Sequence, residues 1–462
     1  MIKRRDFGLL TGFGFAGMAA PRRSCAQGTT PDPSLLTTTL TPLGAERRGN
    51  VDGSIPAWTG GVVSPALAPD APVAVRMFEN EAPLYTVDAR NMAEYQKLLT
   101  PATQLLMTKF GFSAKIFTTH RTAAAPQYVY DNTAKNVTRA VLDPRGGRFG
   151  FTGAVGGVPF PIIDTSDAMI AGAQLIWNHL TGWNGYSTKS TFTPAVVVTR
   201  GRTILTDGTL SRAVFPYYAP DVTPETFDGY YSKGHYYTKA PASAQGQETL
   251  VWHSTNVNIK PDIVWTLLNG QGRVRKAPNE AFDTPNPYSD GIGNEDESEG
   301  FYGNPSQYDW NYIGKQEMLV PYNCNAIAFS TIPEFIGPKF PNPDIVRWEK
   351  RRVWVVEATL HPGEHNVNAR RRFYIDEDTW FILLGESYDA EGNMTKSYVV
   401  YNTCIPSAPG TVIQGNLIFD LLTGDYVYDG NCNYPSHINQ EFLGPQPDAD
   451  FEAQQMAANA SF

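Results

Sequence analysis

Residues 361–380 read HPGEHNVNARRRFYIDEDTW, which places an H-x-x-E-H, three successive arginines and the triplet Asp376-Glu377-Asp378 in one short stretch. Two histidines and a glutamate at that spacing can ligate zinc and activate water when one helical face carries them. Here Pro362 and Gly363 occupy the middle of the motif and β-type sequence flanks it, so His361, Glu364 and His365 read as a turn with solvated histidines. Carboxylate pairs about 5–10 Å apart across a cleft perform glycoside hydrolysis. The triplet falls at a hairpin tip, where acids are expected to face water. A hydrolase reading would need Asp376, Asp378, Glu364 or His365 to line a cleft with shifted pKa values.

The other candidates are weaker. Strand alternation sends Arg371 to the face opposite Arg370 and Arg372, so the three cannot clamp one anion; cross-strand pairing with Glu357 or Glu386 is expected instead. Residues 290–299, DGIGNEDESE, are rich in acids, but an EF-hand alignment puts Tyr288 where an oxygen ligand belongs, so a solvated acidic loop is expected. Gly12-Phe13-Gly14-Phe15-Ala16-Gly17 spells a dinucleotide fingerprint inside a leader and after no strand, so it binds no nucleotide. No cofactor is indicated.

The elements that position these residues are mostly strands. TPAVVVTRGRTIL, QETLVWHSTNVNI, DIVWTLLNGQGRVRKA, QEMLVPYN and RRVWVVEATL are strand-like, and ARRRFYID, TWFILLGESYD and TKSYVVYN form a meander with turns at 376–378 and 390–393. In RRVWVVEATL, Trp354, Val356 and Ala358 oppose Val353, Val355 and Glu357. TWFILLGE is apolar on both faces, with Trp380, Ile382 and Leu384 opposing Phe381 and Leu383, so it is covered twice or lines a cavity. Helices are expected at 88–99, at 101–109 behind a Thr100 cap and Pro101, and at 166–180. The last presents Met169, Ile170, Ala173, Ile176, Trp177 and Leu180 on one face.

The chain has 462 residues, with 9 Trp, 23 Tyr, 24 Phe, 35 Pro and 41 Gly, which indicates a loop-rich β-protein with an aromatic interior. Residues 1–26 read as a signal peptide: Lys3, Arg4 and Arg5, then an apolar run to Ala20, with small residues bracketing Cys25. Arg4-Arg5-Asp6-Phe7 resembles the twin-arginine signal and Arg22 and Arg23 near the cut are unusual for the ordinary secretory route, so both routes stay open. Residues 27–462 are expected to form one domain whose helical and looped N-terminal region extends to about 150. Removing 1–26 takes five bases and one acid from 37 bases and 46 acids, leaving a net charge of −13. Such a chain repels phosphate backbones, so nucleic acid is excluded as a partner. Of the remaining cysteines, Cys404 and Cys432 are the expected disulfide pair, with Cys324 left over.

TPLGAERRGNVDGSIPAWTGG (41–61), GGVPFPI and IWNHLTGWNG (156–162, 176–185), YDWNYIGKQEMLVPYN (308–323) and RRRFYIDEDTWFILLGESYDAEGN (370–393) resemble the domain of unknown function 1329 family, often labelled outer-membrane lipoprotein-sorting proteins. That resemblance implies a periplasmic, mainly β relative of the LolA/LolB carriers: a strongly curved antiparallel sheet, an unclosed barrel, plugged by helices around an apolar cavity. It implies transport of lipids or other hydrophobic compounds beside a resistance-nodulation-division-type transporter or an outer-membrane protein, and carries over no catalytic residue. The residues expected to line the cavity are Trp177, Trp354, Phe373, Trp380 and Phe381. The alternatives are a periplasmic hydrolase built on the 376–378 hairpin and a structural adaptor of an envelope complex.

Overall fold

Alternating apolar residues bounded by glycine and asparagine turns fold this chain into two antiparallel meanders. The first comprises β1 (Ser187–Thr199), β2 (Arg202–Val214), β3 (Tyr230–Ala240), β4 (Glu248–Ser254) and β5 (Ile263–Leu267). The second comprises β6 (Tyr308–Pro321), β7 (Trp348–Leu360), β8 (Arg370–Asp376), β9 (Ile382–Tyr388), β10 (Met394–Ile405), β11 (Gly410–Asp420) and β12 (Tyr426–Gly430). A computed structural model describes residues 31–64, 75–143, 150–268, 273–277, 283–408, 410–434 and 440–459. The signal peptide expected at 1–26 lies outside these residues.

β12 pairs antiparallel with β1, so the two meanders join into a single curved ribbon that runs from β6 through β12 and on from β1 to β5. Short strands at Tyr85–Val87 and Ala114–Ile116 extend it beside β7. Among the described residues β5 and β6 do not pair, and the sheet stays open. This is the mainly β, unclosed curved sheet that the family resemblance implies.

Both faces of the second meander are packed. One face carries Val356, Ala358, Phe373, Ile375, Tyr398, Val400 and Ile418 beneath two helices, α2 (Gln127–Arg139) and α3 (Ala168–Leu180); we refer to it as the helix face. The reverse face carries Val353, Val355, Tyr374, Val399, Tyr401 and Leu417 against α1 (Pro101–Leu105), which continues as a wider turn to Phe110. Thr100 caps α1 as expected, its hydroxyl accepting from Thr103 N at 3.0 Å. TWFILLGE is thus covered on both sides.

The structure corrects four expectations. The helix expected at 88–99 is a shorter 3-10 helix, Met92–Leu98, that fully buries none of its residues and rests only Met92, Tyr95 and Leu98 on the reverse core. In α3, Met169 and Ile170 are exposed while Ala171, Gly172, Ala173 and Leu175 to Leu180 are buried on every side. Gly172 explains the close fit: a Cβ there would stand 2.4 Å from the Trp310 carbonyl oxygen of β6. In the β8–β9 ladder a register shift between Tyr374 and Ile375 turns Leu384 to the reverse face beside Leu383, away from Ile382. Finally, the Cys404–Cys432 disulfide does not form. β11 runs between them, with Cys404 opposite Thr411 and Asn431 bonded to Gln414, and Cys324, Cys404 and Cys432 remain buried thiols.

Candidate functional site

The five aromatic residues expected to line a cavity pack tightly. Trp177, Phe373, Trp380 and Phe381 are each no more than 2% exposed, and Trp354 is half-buried. Trp354 stacks on Trp380 with ring centroids 6.2 Å apart, and Phe373 stacks on Trp310 at 5.9 Å. Trp177, Trp354, Phe373 and Trp380 share the helix face, whereas Phe381 joins the reverse core. Beside Trp380, a crevice between Leu43, Val158 and Trp183 has room for about one water molecule.

The acidic hairpin tip is buried, contrary to expectation. Asp378 accepts a fork from Arg121 at 2.9 and 2.6 Å and a further bond from Arg351 at 2.5 Å. Arg351 also reaches Asp376 at 3.3 Å, and Glu377 pairs with Arg352 at 3.0 Å and with Lys315. Burial raises the pKa of Asp378, but Arg351 and Arg121 outweigh it and hold the carboxyl below its ordinary value. Arg121 donates as well to the Glu46, Arg47 and Pro56 carbonyls, and the Trp380 indole N–H donates to Leu43 O at 2.8 Å. The triplet therefore clips the 41–61 segment onto the sheet. These acids are consumed by cations, and Glu364 is exposed in a turn at 361–365, so the four residues of the hydrolase reading do not meet at a cleft.

The arginines alternate as expected: Arg370 and Arg372 share Glu357 at 3.0 and 2.7 Å, while Arg371 is buried on the other face against Asp296 at 2.7 Å. The 290–299 loop is correspondingly only partly solvated: Asp290, Gly291 and Glu295 are exposed, while Asp296 and Glu297 are buried. Glu297 accepts from Lys396 at 2.8 Å, Tyr398 at 2.9 Å and Asn368 at 2.7 Å. Gly300, at φ +82°, brings the loop so close to the sheet that a Cβ would stand 2.6 Å from Ile382.

Pinned there, the 284–302 segment roofs the helix face of the first meander, and the packing loosens beneath it. One row of side chains crosses four strands: Asn416 on β11 is registered opposite Asp429 on β12, Asp429 opposite Ala195 on β1, and Ala195 opposite Asp207 on β2. Tyr236 of β3 lies on this face, as do Thr249, Val251 and Val264, all half-exposed, whereas Leu250 on the reverse is buried. Glu299, Tyr288 and Tyr302 descend from the roof; the Tyr302 hydroxyl lies 3.3 Å from Ser232 Oγ and its ring meets His253 at 4.6 Å. These groups keep some solvent-accessible surface, yet protein surrounds them closely enough to disfavour charge. Burial, then the charge of Asp429, pushes Glu299 up to about 7; burial, then Asp207, pushes Asp429 up to about 7 despite a hydrogen bond from Tyr288. The space between this row and the roof, where partial exposure meets strong desolvation, is the candidate hollow. Trp177 borders it indirectly, through the Tyr231 ring 6.4 Å away.

Of these groups, Glu299 fell within the acidic 290–299 stretch and Tyr288 beside it, but Asp207, Asp429 and the other tyrosines belonged to no motif. The available signal was a lone acid on the inward side of an apolar strand, Asp429 in YVYDG, where alternation aligns it with Val427. Among the described residues, no three His, Cys, Asp or Glu side chains come together to hold a metal ion.

This architecture, an open curved antiparallel sheet with helices laid on one face, defines the fold class. The chain belongs to the family described as protein of unknown function (DUF1329), which it matches over residues 86–457. It is 33% identical over 406 residues to the uncharacterized protein PA3922 of Pseudomonas aeruginosa, covering 86% of this chain and 87% of that one. Solved structures resemble it loosely. A DUF1329 family protein from Desulfovibrio piger aligns at a TM-score of 0.43 and 13% identity, over 63% of this chain and all (100%) of that one. A putative outer membrane lipoprotein-sorting protein domain from Vibrio parahaemolyticus gives 0.40 and 14%, over 59% and 91%. A LolA superfamily protein from Nitrosomonas europaea gives 0.33 and 9%, over 58% and 90%.

Proposed function

We propose that this protein is a periplasmic, non-enzymatic carrier that shelters a lipid or other hydrophobic compound in the hollow between β1–β5 and the 284–302 roof. The observation that supports this is the contrast between the two meanders. The second is packed on both faces, while the first leaves Tyr236, Thr249, Val251 and Val264 half-exposed on the face where the roof lies. Amphipathic tyrosine walls suit a guest with an apolar body and a polar end. Each methylene buried there would contribute about 0.8 kcal/mol, so a short chain suffices for micromolar holding. In this reading Trp177, Phe373, Trp380 and Trp354 act behind the tyrosines, as the rigid floor that keeps the hollow's shape.

Periplasmic residence rests on the Arg4-Arg5 leader, and no helix among the described residues is long and apolar enough to cross a membrane. A resistance-nodulation-division-type transporter or an outer-membrane protein would receive or deliver the guest. The test is organic extraction of the protein purified from envelope fractions without detergent, followed by mass spectrometry. A stoichiometric hydrophobic compound is expected; a protein that neither yields one nor takes up added amphiphiles would overturn the reading.

A further inference from the structure

The charge balance inside the hollow differs from that of every other buried acid cluster in the described chain. Asp376, Glu377 and Asp378 face three arginines and a lysine, and Asp296 and Glu297 face Arg371 and Lys396. Asp207, Asp429 and Glu299 face no cation among the described residues: Asp207 takes its bonds from Thr209 and the Gly208 backbone, Asp429 from Tyr288, and Asp207 acts on Asp429, and Asp429 on Glu299, only by repulsion. The surrounding titratable groups are Tyr236 from β3, Tyr231, Tyr302 and Glu295, with the His253–Asp262 pair, 3.1 Å apart, at one side.

Two further side chains in this hollow are buried without a partner. Asn416 is 8% exposed and stands beside Asp429 on the same face, and its Oδ1 accepts no hydrogen bond. Tyr231 is 2% exposed, lies within electrostatic reach of Glu299, Tyr302 and Tyr236, and its hydroxyl is likewise unpartnered. A buried acceptor left unmade costs about 1–3 kcal/mol, so these atoms indicate a guest that brings hydrogen-bond donors. Three carboxyls with no counter-charge demand that the donors be positive, and tyrosine faces attract cations as well. Among the described residues no three His, Cys, Asp or Glu side chains converge there to hold a metal ion, so an organic cation is the better fit.

We infer that the guest's polar end is an organic cation, an ammonium or guanidinium group on an apolar body, held by Asp429, Glu299 and Asp207 and by Asn416 Oδ1. This assignment rests on the carrier reading and narrows it. A primary ammonium would donate to Asn416 and two carboxylates while its chain lies along Tyr236 and Tyr302. Because burial and mutual repulsion raise Asp429 and Glu299 to about 7, such a cation draws protons off the site as it binds and is held more tightly at pH 8 than at pH 5.5.

Isothermal titration of the full mature chain with n-octylammonium, n-octanol and n-octanoate tests this, since the three probes share one chain and differ in charge. Octylammonium should bind about ten-fold or more tighter than octanol at pH 8, octanoate weakest, and the advantage should shrink several-fold at pH 5.5. Asp429→Asn and Glu299→Gln should each reduce the preference for ammonium over octanol at pH 8, with circular dichroism and thermal unfolding reporting that each variant is folded. Equal binding of all three probes would overturn the cation assignment and leave the carrier reading standing. Binding of none would overturn both.

Discussion

Asp429→Asn should stabilise the protein progressively as pH rises. Ordinarily this carboxyl ionises near 3.8; in the hollow it does so at about 7. Between those values the unfolded chain gains by releasing a proton that the folded chain retains, so the native state loses stability as pH climbs, up to about 7, and is level beyond. From pH 5 to pH 7 the ceiling is about 3 kcal/mol, at about 1.4 kcal/mol per pH unit. Partial solvent access screens the charge, and Asp207 and Glu299 share the proton release, so about 1–2 kcal/mol is the expected net. The amide keeps the side-chain shape and titrates nowhere in this range. Any loss of the Tyr288 hydrogen bond offsets both ends equally. Urea unfolding of both proteins at pH 5.0 and pH 8.5, without added amphiphile, measures the difference. The variant's advantage should widen by that amount at the higher pH. A gap that is flat or narrows on going alkaline would refute the claim that the hollow holds strained carboxyls.

Three other outcomes follow from the same structure. Arg121→Gln should cost about 3–5 kcal/mol in urea unfolding, because it leaves Asp378 buried with Arg351 as its remaining close partner; a loss below about 1 kcal/mol would contradict the clip. His179 is buried and neutral, its Nε2–H donating to Phe301 O at 3.0 Å and its Nδ1 accepting from Ile382 N at 3.1 Å, and burial lowers it to about 4. Acidification from about 6.5 to 4 should therefore remove up to about 3 kcal/mol, and His179→Gln should make that acid limb shallower. Protein purified without reductant and then unfolded should titrate three thiols from Cys324, Cys404 and Cys432, each pushed up to about 12 by burial in the native state; one thiol instead of three would mean that a disulfide forms.

Period-two patterning in RRVWVVEATL and RRRFYID was enough to place Val353 and Val355 opposite Val356 and Ala358, and Arg371 opposite Arg370 and Arg372. Leu384 escaped that logic because a bulge adds a residue to one strand, and no residue type marks it. The acidic stretches misled for a different reason. Asp376 to Asp378 and Asp296-Glu297 look solvated until their partners are known, and Arg121 is 257 residues from Asp378. Gly300 was the local clue that the 290–299 loop lies against the sheet. The hollow was illegible because Asp207 and Asp429 come singly from β2 and β12, the junction of β12 with β1 alone brings them into one row, and Glu299 joins them from a loop that looked solvated. The aromatic count indicated a greasy interior; it did not separate the tryptophans of the second meander from the half-exposed tyrosines around the roof.

Native mass spectrometry of the mature chain, purified from envelope at pH 8 without detergent and then offered octylammonium, tests the central claim most directly. The account predicts a mass above that of the polypeptide by one bound guest, exchanged for or supplemented by a single octylammonium. A chain that flies at its bare mass before and after the probe contradicts it.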